Sequence, residues 1–290
     1  MDFGLFHILS LFSFAFGACV ASFLNVVIWR VPRGESIVRP PSHCPTCGAA
    51  IRWYQNIPIL SWLALRGKCA NCRAPISPRY ILVELLGGCL FLAAFQKFGL
   101  ALVGNEPLWS PLVLHLVIMW IWISLMIVGS MIDFDHKLLP DFVTVGGMIL
   151  GVAEALVFTA FGFADGCDEP LLVRLSPLVN SLVGLAFGFG LLWLIRFLGS
   201  KAFRREAMGL GDVFLMGAVG ALFGPVAVLV TLMLSSVFGS VVGLSMVALS
   251  KTKFGRFVEI PYGPYICLGC LVWMFGGTAL VRAYLRLLGG

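Results

Sequence analysis

Cys44-Pro45-Thr46-Cys47 and Cys69-Ala70-Asn71-Cys72 lie in residues 30–79, the one long polar stretch of a chain that is otherwise a succession of apolar runs. The contrast decides the fold. Of 290 residues, 60% are hydrophobic and only 12% charged, and the mean hydropathy is +0.99, which leaves too little polar surface to cover a water-soluble globule. The chain is therefore solvated by lipid. Runs near the ~20 residues needed to cross a hydrocarbon core occur at 5–29, 80–103, 111–132, 142–162, 175–198, 225–249 and 262–287. A shorter run, 210–224, is bounded by Gly209-Leu210-Gly211 and Gly224-Pro225 and reads as a short or broken span. The expectation is an all-α polytopic membrane protein of about eight transmembrane helices, with a small zinc-ribbon-like module between the first two. Residues 1–29 form the first helix, 30–79 the module and 80–290 a transmembrane bundle. No Lys or Arg precedes Arg30, so the first run lacks the basic start of a cleavable signal peptide and is expected to remain a helix.

The net charge of +6 would suggest nucleic acid in a soluble protein, but here the charges fall in loops between apolar runs, where they set topology. No nucleic-acid partner is expected. Sixteen of the twenty Lys and Arg residues lie in 30–79, 133–141, 196–208 and 250–261. The alternate loops carry Lys97 and Arg174 among Glu106, Asp165, Asp168 and Glu169. The positive-inside rule then places the cysteine segment in the cytoplasm and both termini outside. Arg282 and Arg286 run against it and read as snorkelling interfacial residues.

Two C-x₂-C pairs supply four thiolates that can close a tetrahedron around one Zn²⁺. The stretch between them carries Ile51, Trp53, Ile57, Ile59, Leu60, Trp62, Leu63 and Leu65, an apolar core too small to hold without a staple. Thiols in a reducing cytosol stay free, which removes the disulfide alternative. Cys19, Cys89, Cys167, Cys267 and Cys270 are single residues in or near apolar runs and read as helix packing.

An ionised side chain at the bilayer centre costs on the order of 3 kcal/mol even on lenient insertion scales, so acids in spans are functional hypotheses. Asp133 closes the third span and Asp212 opens the short sixth one, and the topology puts both at the same depth, just inside the cytoplasmic boundary. Two carboxylates facing each other through a water are the minimal apparatus for aspartic-protease hydrolysis: one takes a proton from water while the other, protonated, polarises the scissile carbonyl. Gly209 and Gly211 allow a substrate backbone to come close to Asp212 and let the chain leave helical geometry there.

The cysteine module, Asp133 ahead of Pro140, the Met208-Gly209-Leu210-Gly211-Asp212 stretch (a GxGD motif) and Ile260-Pro261-Tyr262-Gly263-Pro264-Tyr265 together resemble the bacterial type IV prepilin peptidases. The likeness extends from Ser22-Phe23-Leu24-Asn25-Val26-Val27 through Asn56-Ile57-Pro58-Ile59-Leu60-Ser61-Trp62 and Gly67-Lys68-Cys69 to the last helix. It implies a bifunctional enzyme of type IV pilus and type II secretion systems in the bacterial inner membrane. Such an enzyme cuts the short basic leader from prepilins or pseudopilins after a glycine, then methylates the new N-terminus from S-adenosylmethionine. On this resemblance Asp133 and Asp212 are the catalytic aspartates, and Cys44, Cys47, Cys69 and Cys72 the zinc ligands. Asp135 and Asp141 are nearby distractors; on spacing alone Asp135 competes with Asp133, and the family pattern favours the earlier residue.

The methyl donor's site is less legible. No glycine-rich strand-to-helix turn of the usual cofactor-binding kind occurs, so the site is expected to be built from the zinc module and adjoining helix ends, with Glu84, Lys68 and Gly67 as candidates. Glu84 reads equally as an interfacial acid paired with Arg79, and Lys68 as a topology charge. Asn25, Asn180, His115 and Glu154 read as interhelical hydrogen bonding or outer-leaflet placement, and Gly184, Gly188 and Gly190 as packing seams. His136 is not assigned a metal. Two rivals compete with the protease reading. A proton-coupled transporter would use the acids as a relay near mid-depth and show related halves, and a non-enzymatic zinc-ribbon scaffold would leave both acids replaceable.

Overall fold

In a computed structural model the described residues are 3–99, 110–164, 171–204, 206, 208–249 and 261–287. Seven of their helices are long and apolar enough to cross a membrane, and β-type pairing among these residues is confined to two isolated bridges, His43 with Ala50 and Lys68 with Pro75. The chain is a multi-helix membrane protein. Apolar side chains such as Ile8, Leu11, Phe12, Met233 and Leu244 are exposed on helix surfaces, which water would penalise and lipid does not. The expected roles of Glu106, Asp165, Cys167, Asp168, Glu169, Arg205, Lys251, Lys253 and Arg256, and of Ile260 in its motif, fall outside the described residues.

The chain divides into two compact units, Met1–Val128 and Gly129–Gly290. In the first, α1 (Phe3–Arg30) packs antiparallel on α3 (Pro78–Phe98), with the short α2 (Leu60–Ala64) in the connection between them. The helices approach closely because Gly17, Gly87 and Gly88 carry no side chain: a Cβ on Gly87 would lie 2.5 Å from Ala21 Cβ. Asn25 donates across the same seam to the Tyr80 carbonyl at 3.2 Å. The Phe91 ring stacks on Trp120 of α4 (Pro111–His136) at 5.3 Å between centroids.

The second unit takes the end of α4 together with α5 (Asp141–Ala164), α6 (Leu171–Phe203), α7 (Leu210–Leu249) and α8 (Gly263–Val272), which runs through a π turn at Trp273–Gly277 into α9 (Thr278–Leu287). Although α7 spans 40 residues, it is not one rod, because Gly224 sits at φ 81°, ψ 179°. A Cβ on Gly188 would meet both the Met216 carbonyl and, at 3.1 Å, Val228 Cγ2. Twelve residues of continuous helix would separate those neighbours by about 18 Å. The chain therefore turns back at Gly224, into two arms. The first arm, 210–223, is only about 21 Å long; the second returns toward the start of α8, where Ser235 Oγ lies 2.7 Å from Tyr262 Oη. The seven membrane-length helices among the described residues thus comprise eight helical segments by direction, the first arm being the short segment expected at 210–224. The φ of +81° is open to glycine and to few other residues, and Asn180 packs against the space a side chain would take there.

Gly184 of α6 lies backbone to backbone against Gly220 of the first arm, and Gly188 against Met216. Two of the three expected seam glycines are seams. Gly190 is not: nothing stands within 4 Å of where its Cβ would be, because it faces away from α7.

Gly220→Val pushes a branched side chain into the Gly184 backbone and is expected to destabilise by about 2 kcal/mol or more. Gly190→Val is expected to change stability by less than about 0.5 kcal/mol. Thermal unfolding of the two variants in detergent checks this, and equal midpoints would contradict the seam.

Candidate active site and metal centre

In the second unit four helix ends meet: the C-terminus of α4 and the N-termini of α5, α7 and α8. Asp133 occupies the last turn of α4 and Asp212 the first turn of α7, and they are only 6% and 8% exposed. One Asp133 oxygen, Oδ2, accepts the backbone N–H of Gly263 at 2.9 Å, one of the amide donors that the first turn of a helix leaves without an internal partner. Pro264 next to it fits the first turn because it needs no such donor. The Asp212 carboxylate lies within electrostatic reach of Asp133, and buried Cys267 within reach of both.

Leu139, in the turn between α4 and α5, wedges the cluster together. A Cβ on Gly211 would lie 2.8 Å from Leu139 Cβ, and one on Gly263 would lie 3.3 Å from Leu139 Cδ1 and 2.7 Å from Asp133 Oδ2. Neither position admits a side chain without moving an aspartate or the wedge. Asp212 Oδ2 sits over Gly209, 3.6 Å from where its Cβ would be. Asp135, His136 and Asp141 are exposed, and Asp141 lies in the first turn of α5, where a negative charge suits the helix dipole. Sequence marked Gly263 only as a member of the 260–265 motif and gave Leu139 no role. A glycine between Tyr262 and Pro264 at a helix start, with its amide free, was the available signal.

In the first unit the sulfur atoms of Cys44, Cys47, Cys69 and Cys72 all lie within 4.8 Å of one another. The Cys44 and Cys72 sulfurs are 3.8 Å apart, close to the ~3.8 Å edge of a tetrahedron with metal–sulfur bonds of about 2.3 Å. Each pair sits in a tight turn: Cys44 N–H donates to Ala49 O at 2.9 Å and Cys69 N–H to Ala74 O at 2.8 Å. Both turns use positive φ, at Gly48 (69°) and at Arg73 (61°). Backbone N–H groups of Cys47 and Thr46 aimed at Cys44 lower its thiol to about 6, and those of Cys72 and Asn71 lower Cys69. Cys72 is pushed up to about 11: the Ala74 N–H favours its thiolate, but desolvation and the three neighbouring cysteines outweigh it. Four thiols this close cannot all ionise by themselves. A divalent cation removes that repulsion, so this donor set fits a metal ion.

The three residues tied to a methyl donor by sequence are dispersed around this module. Glu84 is buried, and its Oε2 accepts the Ile59 N–H at 2.8 Å; Ile59 is held at φ 64°, a strained conformation for a β-branched residue. Gly67, at φ 66°, lies against the Trp62 ring, and Lys68 is exposed beside the second cysteine pair.

Residues 15–98 match the model of the bacterial peptidase A24 N-terminal domain, and residues 120–244 match that of the type IV leader peptidase family. A prepilin leader peptidase/N-methyltransferase of Myxococcus xanthus (strain DK1622) is 43% identical over 237 residues, covering 82% of this chain and 63% of that protein. The chain thus spans a little under two thirds of that relative. A prepilin leader peptidase/N-methyltransferase of Stutzerimonas stutzeri is 33% identical over 293 residues, 93% of this chain and 91% of its own length. The type 4 prepilin-like proteins leader peptide-processing enzyme of Escherichia coli O78:H11 (strain H10407 / ETEC) is 34% identical over 277 residues, 89% and 91% of the two chains. No solved structure matches.

Replacing Cys44 and Cys47 together by Ser is expected to remove the bound metal and open the segment between α1 and α3 to protease. Elemental analysis and limited proteolysis check both effects. Unmodified protein that purifies free of metal would contradict the assignment.

Proposed function

Because the chain belongs to the type IV leader peptidase family, we propose that it removes the leader from prepilins or pseudopilins with Asp133 and Asp212 and then N-methylates the new N-terminus. The observation that carries this is the pair of buried carboxylates, from two distant parts of the sequence, gathered at one end of the helix bundle. Two such groups hold a single proton between them. The ionised carboxylate takes a proton from water as the water oxygen attacks the scissile carbonyl carbon; the protonated one donates to the carbonyl oxygen. The tetrahedral species collapses with cleavage of the C–N bond, and the proton passes to the leaving amine. Gly263 N–H fixes the orientation of Asp133, bare Gly209 leaves room for a substrate backbone beside Asp212, and Gly211, expected to do the same, instead takes the Leu139 side chain.

The released amine, in its unprotonated form, is the nucleophile of the second reaction. S-adenosylmethionine, when bound, supplies an electrophilic methyl group, and the protein's task is alignment. Gly67, Lys68 and Glu84 are the proposed residues on that side: Gly67 and Glu84 by fixing backbone turns, and Lys68 as an exposed ammonium. The metal at Cys44, Cys47, Cys69 and Cys72 is read as a structural Zn²⁺, since four thiolates at this spacing saturate a tetrahedral ion and leave no open position for catalysis.

The setting proposed is the bacterial inner membrane. Residues 1–29 are the first span, 30–79 a cytoplasmic metal-binding module and 80–290 the catalytic bundle. The concentration of Lys and Arg in alternate loops supports this orientation, and the reversal at Gly224 supports an even number of passes with both termini outside.

Asp133→Asn and Asp212→Asn are each expected to lower prepilin cleavage by about 10²–10⁴-fold while metal content stays constant; persistent cleavage in either variant would reject the assignment. Gly263→Ala is expected to displace the Asp133 carboxylate and to slow cleavage by about 10²-fold. A reconstituted assay read by mass spectrometry checks both and registers the added methyl group in the same spectrum.

A further inference from the structure

The last residue of α1 is an arginine that has left water without finding an acid. Arg30 is 8% exposed, and its guanidinium donates from Nη1 to the Ser36 carbonyl and from Nη2 to the Pro40 carbonyl, both at 2.8 Å. Among the described residues no carboxylate pairs with it. Capping the loop accounts for two of its five N–H donors, and a position at a helix C-terminus recovers part of the cost of burial. Neither supplies a counter-charge. Buried charges are ordinarily paired, so the environment of Arg30 is incomplete.

What adjoins it is a cavity of about 270 Å³, lined by Arg30 together with Ser22, Phe23, Pro41, Asn56 and Pro58, among others. Its wall reaches Ser42, whose carbonyl accepts the Ile51 N–H at 3.0 Å in the bridge flanking the first cysteine pair. Next to Pro58 stands Ile59, whose strained backbone is held by the buried Glu84. The cavity is thus bordered by the helix end, by the segment that leads into the first cysteine pair and by Pro58, next to the Ile59 backbone that Glu84 holds. It offers one cation, the hydroxyl of Ser22 and the amide of Asn56 for orientation, and proline and phenylalanine surfaces for a flat apolar group. That combination suits a small anion-bearing ligand with an aromatic portion.

We infer that this cavity binds the methyl donor, with the Arg30 guanidinium taking the α-carboxylate of S-adenosylmethionine. The inference rests on the methyl-transfer reading above and gives it a location. Glu84 then acts as a positioning residue, holding the 56–59 wall, and does not touch the ligand. A phospholipid headgroup offers the same negative charge, and the competition experiment below separates the two ligands.

The test is equilibrium binding of radiolabelled S-adenosylmethionine to the full chain in nanodiscs of neutral lipid, with metal content and thermal midpoint as controls for folding. Arg30→Gln is expected to weaken binding about tenfold or more. Decarboxylated S-adenosylmethionine, which lacks the carboxylate, is expected to bind the unmodified protein and Arg30→Gln alike. A variant that merely loosens the loop would weaken both ligands equally, and that outcome overturns the proposal. Ser22→Phe fills the cavity without touching the Arg30 hydrogen bonds and is expected to abolish binding; unchanged binding in it also overturns the proposal. So does displacement of S-adenosylmethionine by anionic phospholipid, which would make Arg30 a headgroup site. If the unmodified protein cleaves prepilin yet binds no S-adenosylmethionine, the methyl-transfer reading itself fails. If it binds the donor normally and Arg30→Gln does too, only the location is wrong.

Discussion

An acid inside an apolar helix bundle survives where backbone donors and shaped space meet it, and the hydrogen bond from Gly263 N–H to Asp133 Oδ2 is where that condition is satisfied here. It joins the end of α4 to the start of α8 across 130 positions of sequence. Leu139 extends the linkage to Gly211 and so to the start of α7. The glycines at 211 and 263 are therefore constrained by space: any larger residue would separate the elements that bring the acids together. Cys267, buried as well, lies within electrostatic reach of both carboxylates.

The first arm of α7 carries the second consequence. An aspartate in the first turn of this arm is placed by what the arm packs against, and Gly224 turns the chain back where the arm ends. The arm is held by backbone contact with α6 at Gly184 and Gly188 and by the packing of α5 on Gly217 and Ala221. Without a hydrophobic driving force between helices in lipid, this close approach is the principal adhesion available. The same residues that shorten the span thus fix Asp212.

The module between α1 and α3 follows a different logic. Its apolar residues are largely exposed, Trp53 at 81% among them, so burial contributes little and the four cysteines carry the fold. Two short turns, one made by Gly48 and one by Arg73 in the same left-handed conformation, bring the sulfurs together. The arginine form of the turn is strained where the glycine form is not, a cost that a metal bound by the four sulfurs would offset.

Much of this was legible in the sequence because the determinants are local. Apolar run lengths predicted the helices, C-x₂-C spacing predicted the cysteine cluster, and Gly224-Pro225 marked the break in α7. Depth along the helices even brought Asp133 and Asp212 to one level. What sequence could not supply were contacts whose partners lie far apart in the chain. The Gly263 donor and the Leu139 wedge belong to this class, as does the open space beside Gly190, since helical period alone does not say which face meets a neighbour. Arg30 is the clearest case. Composition counted it as one more topology charge, and only the tertiary structure shows a buried cation beside a cavity with no carboxylate paired to it among the described residues, because burial is a property of what folds over a residue and not of the residue itself.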